Sequence, residues 1–261
     1  MPLEDKYNLT SKLGQGQYGE VWSGTPIGKE SGDTTNPDQV AVKIFKKICR
    51  TAMVENEIQV MSQVGSIKDQ NPGSARNIVE VFDTQLLSSN GRKSIVLEFL
   101  SGHELFDRIA SKGSYSERDA AQTVARLATS LDLLHKNRIL HRDLKPENIV
   151  YRTDADDADP VIVDFGFGLT ADQTTASGCC YYQDPVGRDP LGTHGYIAPE
   201  SYESCVYMDK SDIWALGVTL YAFVFGELPF WDTDSTSLFK KIAREPLRFP
   251  STPSSSTPSP T

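Results

Sequence analysis

Cysteine is scarce in this sequence, with four in 261 residues. Cys49, Cys179, Cys180 and Cys205 follow no metal-ligand spacing, and so few in a chain this long make no disulfide framework. Free thiols in a reducing compartment are the expectation, with a redox switch at the adjacent Cys179–Cys180 pair as the alternative. Basic charge is also short. Against 35 Asp and Glu stand 26 Lys and Arg, for a net charge of −9 and an isoelectric point near 5.0. A nucleic-acid partner is therefore not expected, because neutralising phosphates needs a basic face. An acidic surplus instead favours basic peptides, weakly at physiological salt. Long apolar runs are missing too. The most apolar stretch, Trp214 to Phe225, falls short of the roughly 20 residues a membrane helix needs. Apolar on nearly every face, it reads as a helix buried in a core. The start, Met1 to Lys6, is acidic without an apolar centre, so no secretory leader is expected. These features point to a cytoplasmic or nuclear protein.

What is present divides at about Leu100. Before it, short β-rich runs alternate with turn clusters. Lys12–Trp22 and Gln39–Phe45 read as strands around a glycine turn, with polar Gly28–Asp38 as an exposed loop. From Cys49 to Val64, Met53, Val54, Ile58 and Met61 recur at helical spacing. Ile78–Phe82 and Ser94–Phe99 read as two more strands joined at Ser88-Ser89-Asn90-Gly91. After Leu100 helical patterns dominate. Ser116 to Asp119 has the S-x-x-D form of a capping box, and the stripe Val124, Leu127, Ala128, Leu131, Leu134 predicts an amphipathic helix over Glu117–Lys136. A small sheet-rich lobe thus precedes a larger helical one, and a cleft between two such lobes is a usual nucleotide site. Pro250 to Thr261 contains only Pro, Ser and Thr, which have nothing to bury; disorder is expected there.

Gly14-Gln15-Gly16-Gln17-Tyr18-Gly19-Glu20-Val21 has the spacing of a phosphate-covering loop, since glycines let backbone N–H groups approach an anion. Alone, the pattern suits a structural turn equally well. No helix pattern opens at Gly19; the chain continues as strand, loop and Val40-Ala41-Val42-Lys43, unlike a dinucleotide fold. Lys43, among Val, Ala, Ile and Phe, needs an anion partner. Glu57, on the helix face beside the apolar stripe, is the candidate, rather than Glu55. The sequence then carries His141-Arg142-Asp143-Leu144-Lys145-Pro146-Glu147-Asn148, which meets all five fixed positions of H-R-D-L-x-x-x-N. Asp164-Phe165-Gly166 and Ala198-Pro199-Glu200 follow in order.

By these motifs the chain resembles the eukaryotic protein kinases over Tyr7 to Phe249. Asp143 to Asn148 looks like the serine/threonine version. His103-Glu104-Leu105-Phe106-Asp107-Arg108-Ile109 and Glu227-Leu228-Pro229-Phe230-Trp231 look most like the calcium/calmodulin-dependent group. No calmodulin-binding basic helix is evident, so calcium control is not part of the expectation. The resemblance implies an α+β, bilobal fold: an N-lobe at residues 7–100, a C-lobe at 101–249 and a disordered tail at 250–261. The implied activity is ATP- and Mg²⁺-dependent phosphorylation of serine and threonine in protein substrates.

The resemblance also implies roles. Leu13, Gly14, Gln15, Gly16, Gln17, Tyr18, Gly19, Glu20 and Val21 would cover the phosphates. Lys43, held by Glu57, would clamp the α- and β-phosphates. Asn148 and Asp164 would offer oxygens to Mg²⁺. Asp143 would take the substrate hydroxyl's proton, and Lys145 would neutralise charge on the γ-phosphate. Adenine would lie against Val21, Ala41 and Val150, with Leu97 as gatekeeper and the Glu98 and Leu100 backbone as hinge. Glu104 would bind ribose or, with Glu147, a basic residue upstream of the phosphoacceptor. Met61, Phe165, His141 and Asp212 match stacked positions that link the lobes. Arg142 would pair with a phosphate on Thr174, Thr175 or Ser177, and Thr193 would belong to the substrate platform.

Two departures stand out. His194 occupies a place where relatives often carry proline. Family members continue through several further helices after the position of Glu227, yet here the sequence reaches Phe249 and then the Ser/Pro tail. The C-lobe is therefore expected to be incomplete, Glu200 to lack its usual arginine, and apolar surface around Trp214–Phe225 to be partly uncovered and open to a partner. A nucleotide-binding pseudokinase or regulatory fragment is the alternative functional reading.

Overall fold

A computed structural model describes residues 2–16, 18–28, 37–112, 116–170, 173–174, 180–183 and 191–250. The chain divides into two compact units, Met1–Ser101 and Gly102–Thr261.

The first unit is an antiparallel sheet with one long helix. Its strands are β1 (Tyr7–Gln15), β2 (Gly19–Pro26), β3 (Val40–Phe45), β4 (Val81–Leu87) and β5 (Lys93–Glu98), in spatial order β1-β2-β3-β5-β4. β3 is central, and its alternate residues Val40, Val42 and Ile44 are buried with Leu3, Leu86 and Val96, as period-2 patterning requires. Helix α1 (Thr51–Gln70) buries Val54, Glu57, Val60, Met61 and Val64. The buried stripe is thus turned slightly from the expected one, since Met53 and Ile58 are only half-buried.

The strand expected at Ile78–Phe82 begins instead at Val81. Ile78 and Val79 are buried in the preceding segment; their apolar character reflects packing, which periodicity cannot distinguish from strand pairing over so few residues. The turn at Ser88–Gly91 forms as expected, closed by Gly91 N–H to the Ser88 carbonyl at 2.7 Å, with Gly91 at φ +73°.

The second unit is mainly helical: α2 (Leu105–Lys112), α3 (Glu117–Lys136), α4 (Pro199–Ser204), α5 (Asp209–Phe225) and α6 (Ser235–Arg244). The Asp119 N–H donates to Ser116 Oγ at 3.1 Å, so α3 starts at its expected cap. Its residues Leu127, Leu131 and Leu134 are buried. Helix α6 was not anticipated. It is a short segment, capped by Asp234, whose carboxylate accepts the Ser237 N–H at 2.8 Å, and it buries only Leu238.

Short strands carry the remaining turns: β6 (Ile139–Leu140) with β9 (Leu169–Thr170), and β7 (Ile149–Tyr151) with β8 (Pro160–Ile162). A third sheet joins β10 (Gln173–Thr174), β11 (Cys180–Gln183) and β12 (Val206–Met208). Within the turn-rich stretch Gly178–Pro190, Cys-Tyr-Tyr-Gln suits a paired strand. The rest of that stretch, Cys179, Thr175, Ser177, Gln17, most of the Gly28–Asp38 loop and the tail from residue 251 lie outside the described residues.

Helix α5 is buried over most of its length, though Ile213 is 44% exposed and Leu220, Val224 and Phe225 are half-buried. Among the described residues no helix is long and apolar enough to cross a membrane. Among the described residues, Cys49 and Cys205 form no disulfide.

Candidate active site

In the first unit, β1 and β2 meet at the glycine turn, where the Gly16 N–H donates to the Gly19 carbonyl at 3.0 Å. The glycines differ in what demands them. A Cβ on Gly19 would lie 2.9 Å from the Ile44 carbonyl oxygen, so close strand approach excludes a side chain there. A Cβ on Gly14 or Gly16 would meet nothing within 4 Å. Among the described residues no close neighbour demands their bareness. Lys46 Nζ donates to the Gly16 carbonyl at 2.7 Å, steadying the tip.

Lys43 Nζ lies 2.5 Å from Glu57 Oε1, with side chains 13% and 4% exposed. The expected pair therefore forms. Glu55 instead pairs with Lys93 at 3.2 Å on the surface. Ala41 lies opposite Leu97 and Val21 opposite Lys43 in the sheet register. Glu98 Oε1 accepts the Glu80 N–H at 2.8 Å, and Leu100 is half-buried. Leu13 is 48% exposed.

The second unit gathers Lys145, Asn148 and Thr193 around Asp143, itself 6% exposed. Thr193 Oγ1 donates to Asp143 Oδ1 at 2.6 Å, and Asn148 Nδ2 donates to Asp143 Oδ2 at 3.1 Å. Lys145 Nζ sits 3.4 Å from Asp143 Oδ2 and donates to Thr193 Oγ1 at 2.7 Å. Asn148 Nδ2 also reaches the Asp143 carbonyl at 2.8 Å, which leaves its side-chain oxygen as the atom suited to a cation. Asp164 adopts φ +56°, and its Oδ1 accepts the Gly166 N–H at 3.2 Å. Thr193, assigned by resemblance to the substrate platform, is thus hydrogen-bonded to the Asp143 carboxylate; nothing in local spacing reveals that contact, which crosses 50 positions of sequence.

A buried carboxylate holds the loop. Asp212, 1% exposed, accepts the His141 N–H at 2.9 Å, the Arg142 N–H at 2.8 Å and His135 Nε2 at 2.8 Å. Burial opposes its ionisation. The His135 hydrogen bond, the nearby His135 and His141 rings and the His141 amide outweigh burial, holding its carboxyl below the usual value. His141 packs edge-on to Phe165 with centroids 4.8 Å apart. Arg142 Nε donates to the Phe167 carbonyl at 2.6 Å, and its guanidinium lies over Tyr207 and Tyr182. Of its expected phosphate partners, Thr175 and Ser177 and the side chain of Thr174 are outside the described residues.

Glu104 bridges to Val150 along the backbone. Partial burial first, then the charges of Asp107 and Glu147, raise its pKa against the opposing charge of Lys145. Burial, with Glu147 and Asp143, likewise pushes the Tyr196 phenol well above its ordinary range. Glu200 accepts from Ser211 Oγ at 2.7 Å. His194 Nε2 donates to the Asp232 carbonyl at 2.7 Å. Among the described residues no three His, Cys, Asp or Glu side chains cluster as a metal centre.

A strand lysine paired to a helix glutamate, and a buried aspartate held by Asn, Thr and Lys beside an H-R-D loop, define a protein kinase domain. Residues 7–260 match the Protein kinase domain family, and the chain belongs to it. Its sequence is similar to calcium/calmodulin-dependent protein kinase type 1B of Rattus norvegicus, 36% identical over 95% of this chain and 65% of the relative. It is also similar to type IV of Rattus norvegicus, 37% identical over 92% of this chain and 45% of the relative, and to type 1 of Macrobrachium nipponense, 32% identical over 95% and 65%. The chain thus spans less than two thirds of the length of these relatives, and its resemblance is to the calcium/calmodulin-dependent kinase group.

Proposed function

We propose that the chain transfers the γ-phosphoryl group of ATP to serine and threonine hydroxyls of protein substrates. The observation that carries this reading is the Asp143 carboxylate, fixed on one oxygen by Thr193 and on the other by Asn148. Phosphoryl transfer needs positioning and charge stabilisation more than covalent chemistry from the protein. An aspartate so held is ready to orient a hydroxyl and accept its proton. Lys145, 3.4 Å away, brings positive charge to the group in transfer.

The open faces of Gly14 and Gly16 leave room for phosphates at the backbone. Lys43, paired with Glu57, would contact the α- and β-phosphates. Val21, Ala41 and Val150 would enclose adenine, with Leu97 as gatekeeper and Glu98 and Leu100 as hinge. Asn148 and Asp164 would hold Mg²⁺; when bound, the ion neutralises phosphate charge. Their hard oxygens suit it, and it needs no cage of protein ligands because phosphates and water complete its shell. Glu104 and Glu147, close enough to raise the Glu104 pKa, form a negative place for an arginine upstream of the phosphoacceptor.

The test is transfer of labelled phosphate from ATP-Mg²⁺ to a basic Ser/Thr peptide, with Asp143→Ala as control. Transfer that vanishes in the control is the expected result. A folded chain that gains thermal stability from ATP-Mg²⁺ without transfer would instead be a nucleotide-binding protein. A peptide library in which upstream arginine brings no benefit would remove the proposed role of Glu104.

A further inference from the structure

Strands β11 and β12 pair antiparallel with Tyr182 opposite Tyr207. Both rings face one cation: the Arg142 guanidinium carbon lies 5.0 Å from the Tyr207 centroid and 5.7 Å from that of Tyr182, within cation–π range. Tyr207 is 2% exposed and packs with Leu140, Leu169 and Cys205, against which Tyr182 also rests. The other end of Tyr207 does separate work. Its hydroxyl oxygen accepts the Leu191 N–H at 2.5 Å.

These contacts attach one side chain to the residue before Asp143 and to the segment that carries Thr193. Arg142 directly precedes Asp143 and holds φ +65°, a backbone region that a residue with a Cβ occupies only when its surroundings insist. Leu191 opens Leu191-Gly192-Thr193, whose threonine hydroxyl bonds Asp143 at 2.6 Å. A small cavity is lined by Arg142, Asp143, Leu191, Thr193, Ser201 and Tyr207. Lys145 and Asp143 hold the Thr193 hydroxyl, and Tyr207 holds the backbone two residues earlier.

We infer that Tyr207 is a positioning residue for phosphoryl transfer, acting through Arg142 on Asp143 and through Leu191 on Thr193. Tyr182 supplies the second aromatic face. The inference rests on the phosphotransfer reading above.

The test uses the full chain with Tyr207→Phe, which keeps the ring and removes the hydroxyl, and Tyr207→Leu, which removes both. Steady-state transfer to the basic peptide is measured with hydrogen exchange at the Leu191 amide and thermal unfolding. Tyr207→Phe should lower kcat about fivefold, the rate equivalent of one hydrogen bond, with KM for ATP within about twofold. Its Leu191 amide should exchange at least about fivefold faster, since the same bond protects it. Tyr207→Leu should lower kcat further, by the added loss of the cation–π face. Where Tyr207→Leu fails to fold, Tyr207→Phe decides. An active parent with kcat of Tyr207→Phe unchanged overturns the inference alone. So does a fall in kcat that only tracks the folded fraction. A parent that transfers no phosphate overturns the reading beneath it, and the inference falls with that reading.

Discussion

Arg142 donates its backbone N–H to Asp212 Oδ1 at 2.8 Å while its φ stands at +65°. The other carboxylate oxygen of Asp212 takes the His141 N–H and the His135 ring. A side chain 70 positions away thus holds the backbone just ahead of Asp143. Removing it deprives two amides of their acceptor, the buried one of His141 and the partly buried one of Arg142, at about 1–3 kcal/mol for the buried one.

Asp212→Asn should therefore lose about 2 kcal/mol of stability in urea, because an amide offers one acceptor oxygen where the carboxylate offers two. The pH dependence has a definite sign. The folded carboxyl titrates below its ordinary 3.8, so its stabilisation is present above that value and lost as pH falls through the lower folded value. The parent should weaken across that acid window, and Asp212→Asn should weaken less steeply. Equal slopes for the two proteins would contradict this account.

The Lys43–Glu57 pair yields a stability prediction independent of catalysis. Lys43→Met alone leaves a carboxylate 4% exposed without its ammonium, at a cost of about 3 kcal/mol. Lys43→Met with Glu57→Leu removes both charges and should recover most of the loss. Neither variant should transfer phosphate. Unfolding midpoints and peptide assays on the two variants separate the effects; equal stability of single and double variants would contradict the burial argument.

Glu104 should make recognition of arginine pH-dependent. Its folded pKa is raised, by burial first and then by Asp107 and Glu147. The fold therefore penalises its charged form, and that penalty disappears as pH falls through the raised value. The attraction for an arginine disappears with it. KM for a peptide with upstream arginine should rise as pH is lowered toward that value, while KM for the matching leucine peptide stays flatter. Parallel KM profiles would assign the acidic recognition elsewhere.

Much of this was legible in the sequence where chemistry depends on local spacing. H-R-D-L-x-x-x-N placed Asp143, Lys145 and Asn148 on one loop, and the capping box located α3 to the residue. Lys43–Glu57 was readable because an ammonium among β-branched residues has to find an anion. What escaped depends on contacts remote in sequence or on short elements. Thr193 to Asp143 crosses 50 positions, and Tyr207 to Leu191 crosses 16. The segment at α6 buries one leucine, too little apolar patterning to stand out. β4 was misplaced because Ile78 and Val79 are buried without belonging to a strand. The expectation that Glu200 lacks an arginine says nothing of Ser211, whose hydroxyl reaches it at 2.7 Å.

Gly192 tests how closely the segment before Thr193 must follow the catalytic loop. Its φ of +124° strains any residue with a side chain, and a Cβ there would stand 2.9 Å from the Arg142 carbonyl oxygen. The neighbour is backbone already held by Asp212, so the segment has to yield instead. Thr193 follows immediately and sits 2.6 Å from Asp143. A displacement approaching 1 Å at such a site costs on the order of a hundredfold in rate. Gly192→Ala should lower kcat by about that factor. Gly91→Ala is the control: φ is also positive, at +73°, but its Cβ would enter open space. It should reduce stability by about 1 kcal/mol and leave kcat unchanged. If both alanines reduce kcat only in proportion to folded protein, the left-handed turn at Gly192 matters for folding alone; a loss of kcat in Gly192→Ala at full folded fraction ties the turn to Asp143.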